Sequence, residues 1–122
     1  MTGKRRARTT QQILWDDTSE AALQDAIVEA LLLHGWMVDV VKRSAYRSED
    51  GTKRSAVLSP GRPDIVAVHV ASGRIVAWEL KTMKGKVTPE QEAWLHVWAA
   101  AGADARVVRP SDLDDVLAWL AQ

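Results

Sequence analysis

Two carboxylates and one lysine, Asp64, Glu79 and Lys81, lie at the ends of two short apolar runs in the middle of this 122-residue chain. Paired carboxylates supply the oxygen ligands that a hard divalent cation prefers, and the ammonium group adds a positive charge beside them. These residue types therefore indicate a metal-binding site if the fold brings them together. The alternative is a solvated salt bridge near the end of a strand.

A β-hairpin would bring these three residues together. Residues 65–70 and 75–80 are apolar and rich in β-branched side chains, and Ser72-Gly73 between them is a turn signal. With a two-residue turn, Asp64 lies opposite Lys81, and the second carboxylate shares their face because side chains two apart on one strand point the same way. A shift of the register by one residue would separate the three groups.

A third carboxylate, Glu20, is selected by helical periodicity. It precedes three apolar residues of a predicted helix by three, seven and eleven positions, which places it on the stripe that faces the sheet. An acid on that stripe is costly to bury unless it is paired or binds a metal. Glu29 falls on the opposite side of the helix and is expected to be solvated. The alternative for Glu20 is a favourable interaction of a first-turn carboxylate with the helix dipole.

The other sequence patterns predict the elements that hold these groups. Helical periodicity covers residues 18–34, a β-branched run follows at 36–41, and a capping box of Thr88 with Gln91 starts another helix. A strand at 105–108 and a final amphipathic helix complete the order α-β-β-β-α-β-α. This order predicts an α/β fold with a mixed sheet flanked by helices.

Composition limits the classes of protein to which the chain can belong. The length suits one domain, which we assign to residues 16–122, behind a flexible basic arm at residues 1–15. The absence of cysteine excludes disulfides and thiolate chemistry and fits a reducing, cytoplasmic location. No apolar run approaches the ~18 residues of a membrane span. Scattered histidines and glycines give no zinc motif and no phosphate-binding loop.

Charges are segregated along the chain although the formal net charge is zero. Residues 1–8 hold four basic residues and no acid, and residues 42–62 hold six basic against two acidic residues. This pattern suggests a basic face for an anionic partner, and its alternative is ordinary solvated charge. Residues 42–60 are either a mobile loop or a hairpin with its turn at Asp50-Gly51. The basic residues that flank the candidate site are Arg43, Arg47, Lys53, Arg54, Arg62, Lys84 and Lys86.

The motif residues resemble a known family. Gly61-Arg62-Pro63-Asp64 followed by Glu79-Leu80-Lys81 is similar to the PD-(D/E)XK nuclease motif, which implies a restriction-endonuclease-like core. The resemblance covers about residues 18–110 and is closest to the VRR-NUC branch, the virus-type replication-repair nucleases, in its small stand-alone form. Further residues that match this branch are Ser19-Glu20, Gln24, Gly35-Trp36 and Gln91.

The resemblance implies a role for each matched residue. The implied ligands of Mg²⁺ or Mn²⁺ are the side chains of Glu20, Asp64 and Glu79 and the backbone carbonyl of Leu80. Lys81 would orient or help to deprotonate the attacking water and would stabilise the developing charge. Gln91 would contact Lys81, the water or a phosphate. The basic residues would hold the DNA backbone, which gives affinity but little sequence preference.

The implied function is that of an enzyme, a Mg²⁺-dependent DNA endonuclease acting on structured DNA such as junctions, flaps or nicked intermediates in phage or bacterial replication and repair. Its expected partners are DNA and a second copy of the chain, because symmetric cutting of two strands needs two sites. No membrane and no small-molecule cofactor are expected. The alternatives are a non-catalytic DNA-binding module that retains the nuclease fold, and a metal-free structural protein.

Overall fold

The computed structural model describes residues 7–41 and 60–122, together with the backbone of residues 45–47 and 53–55. The helices are α1 (Thr10–Asp17), α2 (Glu20–Leu33), α3 (Pro89–Ala100) and α4 (Leu113–Leu120), with a 3-10 turn at Pro110–Asp112. The strands are β1 (Trp36–Val40), β2 (Ala45–Arg47), β3 (Lys53–Ser55), β4 (Ile65–His69), β5 (Ile75–Leu80) and β6 (Asp104–Val108). None of the helices in the described ranges has the length and apolar content needed to cross a membrane.

Four strands form one mixed sheet in the order β1-β4-β5-β6. The first three are antiparallel neighbours, and β6 is parallel to β5. This arrangement confirms the predicted α/β fold with a mixed sheet flanked by helices. The short strands β2 and β3 form a separate antiparallel pair, which favours the hairpin over the loop for this part of the chain, although its turn at residues 50–51 lies outside the described residues.

The two faces of the sheet are covered by different helices. Helix α2 places Leu23, Ile27 and Leu31 against one face, where each is at most 1% exposed, as the periodicity predicts. Helix α4 packs against α2 and completes that core with buried Val116 and Leu120. Helix α3 covers the other face over β5 and β6. The catalytic candidates of β5 therefore lie under α3, on the face opposite to the main apolar core.

The hairpin between β4 and β5 differs from the expected one. Its loop has four residues, 70–73, and it is closed by the hydrogen bond from the His69 N–H to the Arg74 carbonyl oxygen (2.8 Å). The predicted two-residue turn is therefore wrong. Within the wider loop, the Ser72 hydroxyl forms a hydrogen bond with His69 Nδ1 and accepts one from the Arg74 N–H.

The wider loop shifts the register of the hairpin by two positions. Ile65 pairs with Trp78. Continuing this register places Asp64 opposite Glu79, and not opposite Lys81 as expected. Because side chains alternate between faces with a period of two, a shift of two positions leaves every side chain on its original face. Asp64, Glu79 and Lys81 therefore still share one face of the sheet.

The N-terminal region also differs from the expectation of a flexible arm over residues 1–15. Helix α1 begins at Thr10, and Thr9 forms a capping box with Gln12, in which the Thr9 hydroxyl accepts from the Gln12 N–H and the Gln12 side chain accepts from the Thr9 N–H. An ion pair of 2.6 Å between Arg8 and Asp16 adds a contact across the helix. The Thr9-x-x-Gln12 spacing is the sequence signal of this helix start, and apolar periodicity alone does not detect it.

Strand β6 is attached to β5 by a polar cluster around Asp104. The Asp104 carboxylate accepts hydrogen bonds from Trp78 Nε1 (2.9 Å) and Arg106 Nε (2.7 Å). Burial raises the pKa of Asp104, but the hydrogen bonds from Arg106 and Trp78, together with the positive charges of Arg106 and Arg74, outweigh burial and hold this pKa below its ordinary value. The carboxylate therefore stabilises the fold above the ordinary pKa of an aspartic acid, and this stabilisation is lost as the pH falls through the lowered value.

We expect Asp104→Asn to flatten the acid limb of the stability curve. The measurement is the free energy of unfolding by urea at a series of pH values from about 5 to 2, on either side of the ordinary pKa of an aspartic acid. The natural chain should lose stability more steeply than the variant over this range. Parallel curves would show that Asp104 has the same pKa in the folded and unfolded chains.

Candidate active site

Asp64 is fixed just before the start of β4, where β5 continues past its last paired position. Strand β5 extends two residues beyond the last paired position of β4, so the Leu80 N–H has no backbone acceptor on that side. The Asp64 carboxylate takes this place, because its Oδ2 accepts from the Leu80 N–H at 2.8 Å. The Asp64 carbonyl oxygen accepts from the Val41 N–H at 2.9 Å, which ties the same residue to the other neighbouring strand.

The Leu80 carbonyl faces the same edge as Asp64. In an extended strand the N–H and C=O groups of one residue point to the same side, and those of the next residue point to the other side. The Leu80 N–H points to Asp64, whereas the Lys81 N–H donates to the Val108 carbonyl oxygen of β6 at 3.0 Å. The backbone geometry thus places the Leu80 carbonyl beside the Asp64 carboxylate.

Glu79 is a buried carboxylate, with 2% of the residue exposed. Its Oε1 accepts a hydrogen bond from Gln91 Nε2 at 2.8 Å, and Lys81 Nζ lies 3.9 Å from the same oxygen. Removing a carboxylate from water is costly unless it is hydrogen-bonded and its charge is compensated. The amide and the ammonium group supply these two compensations, so the pattern Glu79-Leu80-Lys81 forms one electrostatic unit with the first turn of α3.

Gln91 connects the start of α3 to the charged cluster. Its side-chain oxygen accepts from the Thr88 N–H at 2.9 Å, while the Thr88 hydroxyl accepts from the Gln91 N–H, so the predicted capping box is present. Its side-chain amide donates to Glu79. The family resemblance implies a contact of Gln91 with Lys81, water or phosphate, whereas the contact in the structure is with Glu79. A glutamate would form the same cap, but it has no amide donor for Glu79.

The segment before Asp64 is docked on the same turn of α3. Gly61 has φ +87°, and a Cβ atom there would lie 2.5 Å from the carbonyl carbon of Glu90. Trp94 Nε1 donates to the Pro60 carbonyl oxygen at 3.1 Å, which adds a second link between the segment and the helix. Only glycine fits this position, because any side chain would push the segment away from α3. The segment Gly61-Arg62-Pro63-Asp64 therefore packs against the same helical turn that carries Gln91.

Glu20 is placed differently from Asp64 and Glu79. It is the first residue of α2, after the N-cap Ser19, and it is exposed, as are the next two residues. The expectation of an inward-facing acid is wrong because the first turn of α2 lies beyond the core and burial begins at Leu23. Glu29 is exposed on the far side of the helix, as expected.

Topology nevertheless places Glu20 at the same end of the sheet as the other carboxylates. Helix α2 packs beside β1 and is joined to it by a tight turn at Gly35, so the start of the helix lies near the end of β1. Within residues 7–41 and 60–122, no three His, Asp or Glu side chains are grouped closely enough to hold a metal ion. The structure brings Asp64 and Glu79 together, and Glu20 as a third ligand stays a prediction.

The basic candidates divide into those that the structure describes and those that it does not. Arg62, Lys84 and Lys86 are exposed, the first just before Asp64 and the other two in the segment after Lys81. The side chains of the other four basic candidates lie outside the described part of the chain; these are Arg43, Arg47, Lys53 and Arg54. A role for these seven residues in binding DNA therefore stays a prediction.

Sequence reasoning missed Arg109, which follows β6. Its guanidinium Nη1 donates to the carbonyl oxygens of Thr82 (2.6 Å) and Gly85 (2.7 Å) in the segment between Lys81 and α3. No pattern in the sequence connects Arg109 with residues 82–85, and only the parallel pairing of β5 with β6 reveals this contact. The arginine thus belongs to the surroundings of the charged cluster.

The sheet order, the helices on both faces and the charged cluster at one strand end define a nuclease-type α/β domain. The chain belongs to the VRR-NUC family, because the family model described as "VRR-NUC domain" matches residues 9–112. A solved structure described as "VRR_NUC domain" is similar in fold, with a TM-score of 0.58 and 24% identity over 81% of this chain and 94% of that chain. No significant match is found among curated proteins. The chain is thus a nuclease-type DNA-processing module.

We expect Gln91→Glu to destabilise the fold although it keeps the capping box. The new carboxylate would face Glu79 at the position where the amide now donates, and this loss of a buried hydrogen bond should lower the free energy of unfolding by about 1–3 kcal/mol. Gln12→Glu is the matched control, because Gln12 has the same capping role in α1 and is exposed. Urea denaturation without divalent metal compares the two variants, and equal losses would contradict the role of the Gln91 amide.

Proposed function

We propose that this domain is an endonuclease that hydrolyses phosphodiester bonds in structured DNA with the help of Mg²⁺ or Mn²⁺. The observation that carries the proposal is the convergence of Asp64, Glu79, Lys81 and Gln91 at one strand end. A domain that only binds DNA gains little from two carboxylates facing phosphates, since like charges repel. Membership of the VRR-NUC family supports a nuclease role.

The residues present fit a hard divalent cation. Mg²⁺ is usually held by one or two carboxylates, with water and substrate phosphates completing its octahedral shell. Asp64 and Glu79 supply such a pair, and the Leu80 carbonyl faces the same edge. When bound, the metal would activate water and stabilise negative charge on the phosphoryl group. Glu20 would add a carboxylate from the start of α2.

The protein groups have separate tasks in this proposal. Gln91 holds the orientation of the Glu79 carboxylate through Oε1, and the Leu80 N–H holds that of Asp64. The Lys81 ammonium, next to Glu79, would orient the attacking water and stabilise the charge that develops in the transition state. Since these groups are fixed before substrate binds, little reorganisation is needed during the reaction.

Substrate and assembly follow from the same proposal. The exposed Arg62, Lys84 and Lys86 would contact phosphates, which gives affinity for the DNA backbone without reading its sequence. We propose junctions, flaps or nicked intermediates as substrates, during cytoplasmic replication or repair in a phage or a bacterium. Symmetric cutting of two strands would need a homodimer, because each chain has one such cluster in its described part.

We expect Asp64→Asn and Glu79→Gln to abolish cleavage while DNA binding stays equal or becomes tighter. Each change removes a metal ligand together with a negative charge that repels phosphate, and the loss in rate should exceed about 100-fold. The measurement is nicking of a supercoiled plasmid and of a synthetic four-way junction in Mg²⁺ and in EDTA. Glu92→Gln, on the exposed side of α3, is the control and should cleave normally.

The same assay separates this proposal from a non-catalytic binding module. Binding of DNA by the natural chain without any metal-dependent cleavage of either substrate would support the module and reject the endonuclease. Cleavage by Asp64→Asn at nearly the natural rate would show that the wrong site has been assigned.

The pair Glu20→Gln and Glu29→Gln tests the third ligand. Both changes neutralise a carboxylate of α2, but only Glu20 lies at the end of the sheet that carries Asp64. We expect a severe loss of cleavage for Glu20→Gln and a rate close to natural for Glu29→Gln. Equal rates in the two variants would remove Glu20 from the set of ligands.

A further inference from the structure

The segment that connects Lys81 to α3 contains a tight turn at residues 82–85. The Gly85 N–H donates to the Thr82 carbonyl oxygen (3.2 Å) and to the Thr82 hydroxyl (3.1 Å), which closes the turn. These contacts are local, and the segment has no helical or strand hydrogen bonds of its own. Its position relative to β5 therefore depends on contacts with other parts of the fold.

Arg109 supplies such a contact. Its Nη1 donates to the carbonyl oxygens at both ends of the turn, those of Thr82 (2.6 Å) and Gly85 (2.7 Å). The Arg109 backbone is itself held, because its N–H donates to Asp112 Oδ2 at 2.8 Å. Hydrogen bonds from a charged donor are stronger than those between neutral groups, so one guanidinium group clamps the turn to the end of β6.

The clamped turn supports the aliphatic part of Lys81. A Cβ atom at Gly85 would lie 3.2 Å from Lys81 Cδ, so the lysine side chain runs directly over the Gly85 backbone. At the far end of this side chain, Nζ is 3.9 Å from Glu79 Oε1. A lysine has four rotatable side-chain bonds, and this support restricts where its ammonium group can lie.

We propose that Arg109 is a positioning residue for the reaction, acting through the 82–85 turn to fix the Lys81 ammonium beside Glu79. The proposal rests on the proposed nuclease function. Arg109 does not touch the two carboxylates, so its loss should leave metal binding unchanged and slow the chemical step. This combination distinguishes a positioning residue from one that supports the whole site.

The test uses the full chain and the variants Arg109→Met and Arg109→Lys. Methionine keeps the length of the side chain and removes the donors, whereas a lysine ammonium can still donate to carbonyl oxygens. The control is Arg74→Met, which removes the same charge from an exposed arginine stacked on Trp119, 4.5 Å from the ring centre. Single-turnover cleavage at saturating enzyme, Mn²⁺ affinity by calorimetry and thermal unfolding are measured for each variant.

We expect Arg109→Met to slow the single-turnover rate by about 10- to 100-fold, because displacement of a reacting group by about 1 Å can cost this much. The Mn²⁺ affinity should stay within about twofold of the natural value. Arg109→Lys should recover part of the rate, and Arg74→Met should keep all of it. Gly85→Ala is a second route to the same effect, since its new Cβ would lie 3.2 Å from Lys81 Cδ and would displace that side chain.

A double-mutant cycle decides whether Arg109 acts through Lys81. In a Lys81→Met background, Arg109→Met should change the rate by less than about twofold, because the group that it positions is gone. Equal slowing in both backgrounds, or an Arg109→Met rate equal to the natural one, would overturn the proposal. Absence of metal-dependent cleavage by the natural chain would instead reject the proposed function, on which this inference depends.

Discussion

The carboxylate of Glu79 lies under α3 with almost no exposure to solvent. A buried carboxylate is tolerated only where donors and opposite charge surround it. The surrounding structure meets this requirement from two directions: the strand itself supplies Lys81, and the start of α3 supplies Gln91. The segment before Asp64 packs on the same helical turn. Gln91 and Lys81 therefore compensate this one buried charge.

The cap of α3 and the orientation of Glu79 depend on the same side chain. Gln91 completes the capping box of α3 with one end of its side-chain amide and orients Glu79 with the other. Fraying of the first turn of the helix would break the hydrogen bond from Gln91 to Glu79, and reorientation of the Glu79 carboxylate would break the same bond. Arg109 extends this coupling to the turn that follows Lys81. Helix, strand end and connecting turn thus depend on one another through side chains near a single point.

Local sequence patterns predicted the elements and the residues that meet, because these depend on period and spacing. The helical stripe of α2, the alternation along β4 and β5 and the capping box at Thr88 all follow from short-range rules. The predicted hairpin loop is two residues shorter than the observed one, but alternation with a period of two preserves the shared face of Asp64 and Glu79. A register error of one residue would have destroyed the same conclusion.

The other differences between the predicted and the observed structure have two sources, which are interactions between distant parts of the chain and a helix start that apolar periodicity does not show. The exposure of Glu20 depends on where the core ends relative to the first turn of α2, which no pattern in the helix itself reveals. The Arg109 contact requires the parallel pairing of β5 with β6. The start of helix α1, in contrast, can be predicted from the sequence by the capping box at Thr9, although the helix has no strong apolar stripe. Tertiary placement, more than local structure, limits what the sequence can predict about this site.

The position of a bound Mn²⁺ ion is the most direct test of the proposed metal centre at Asp64 and Glu79. Crystals of the natural chain grown with Mn²⁺ would be measured near the manganese absorption edge, where the ion scatters anomalously. We expect an anomalous peak within about 2.0–2.6 Å of a carboxylate oxygen of both residues, the range of hard-cation oxygen bonds. A peak bound by other residues, with none between this pair at saturating Mn²⁺, would contradict it.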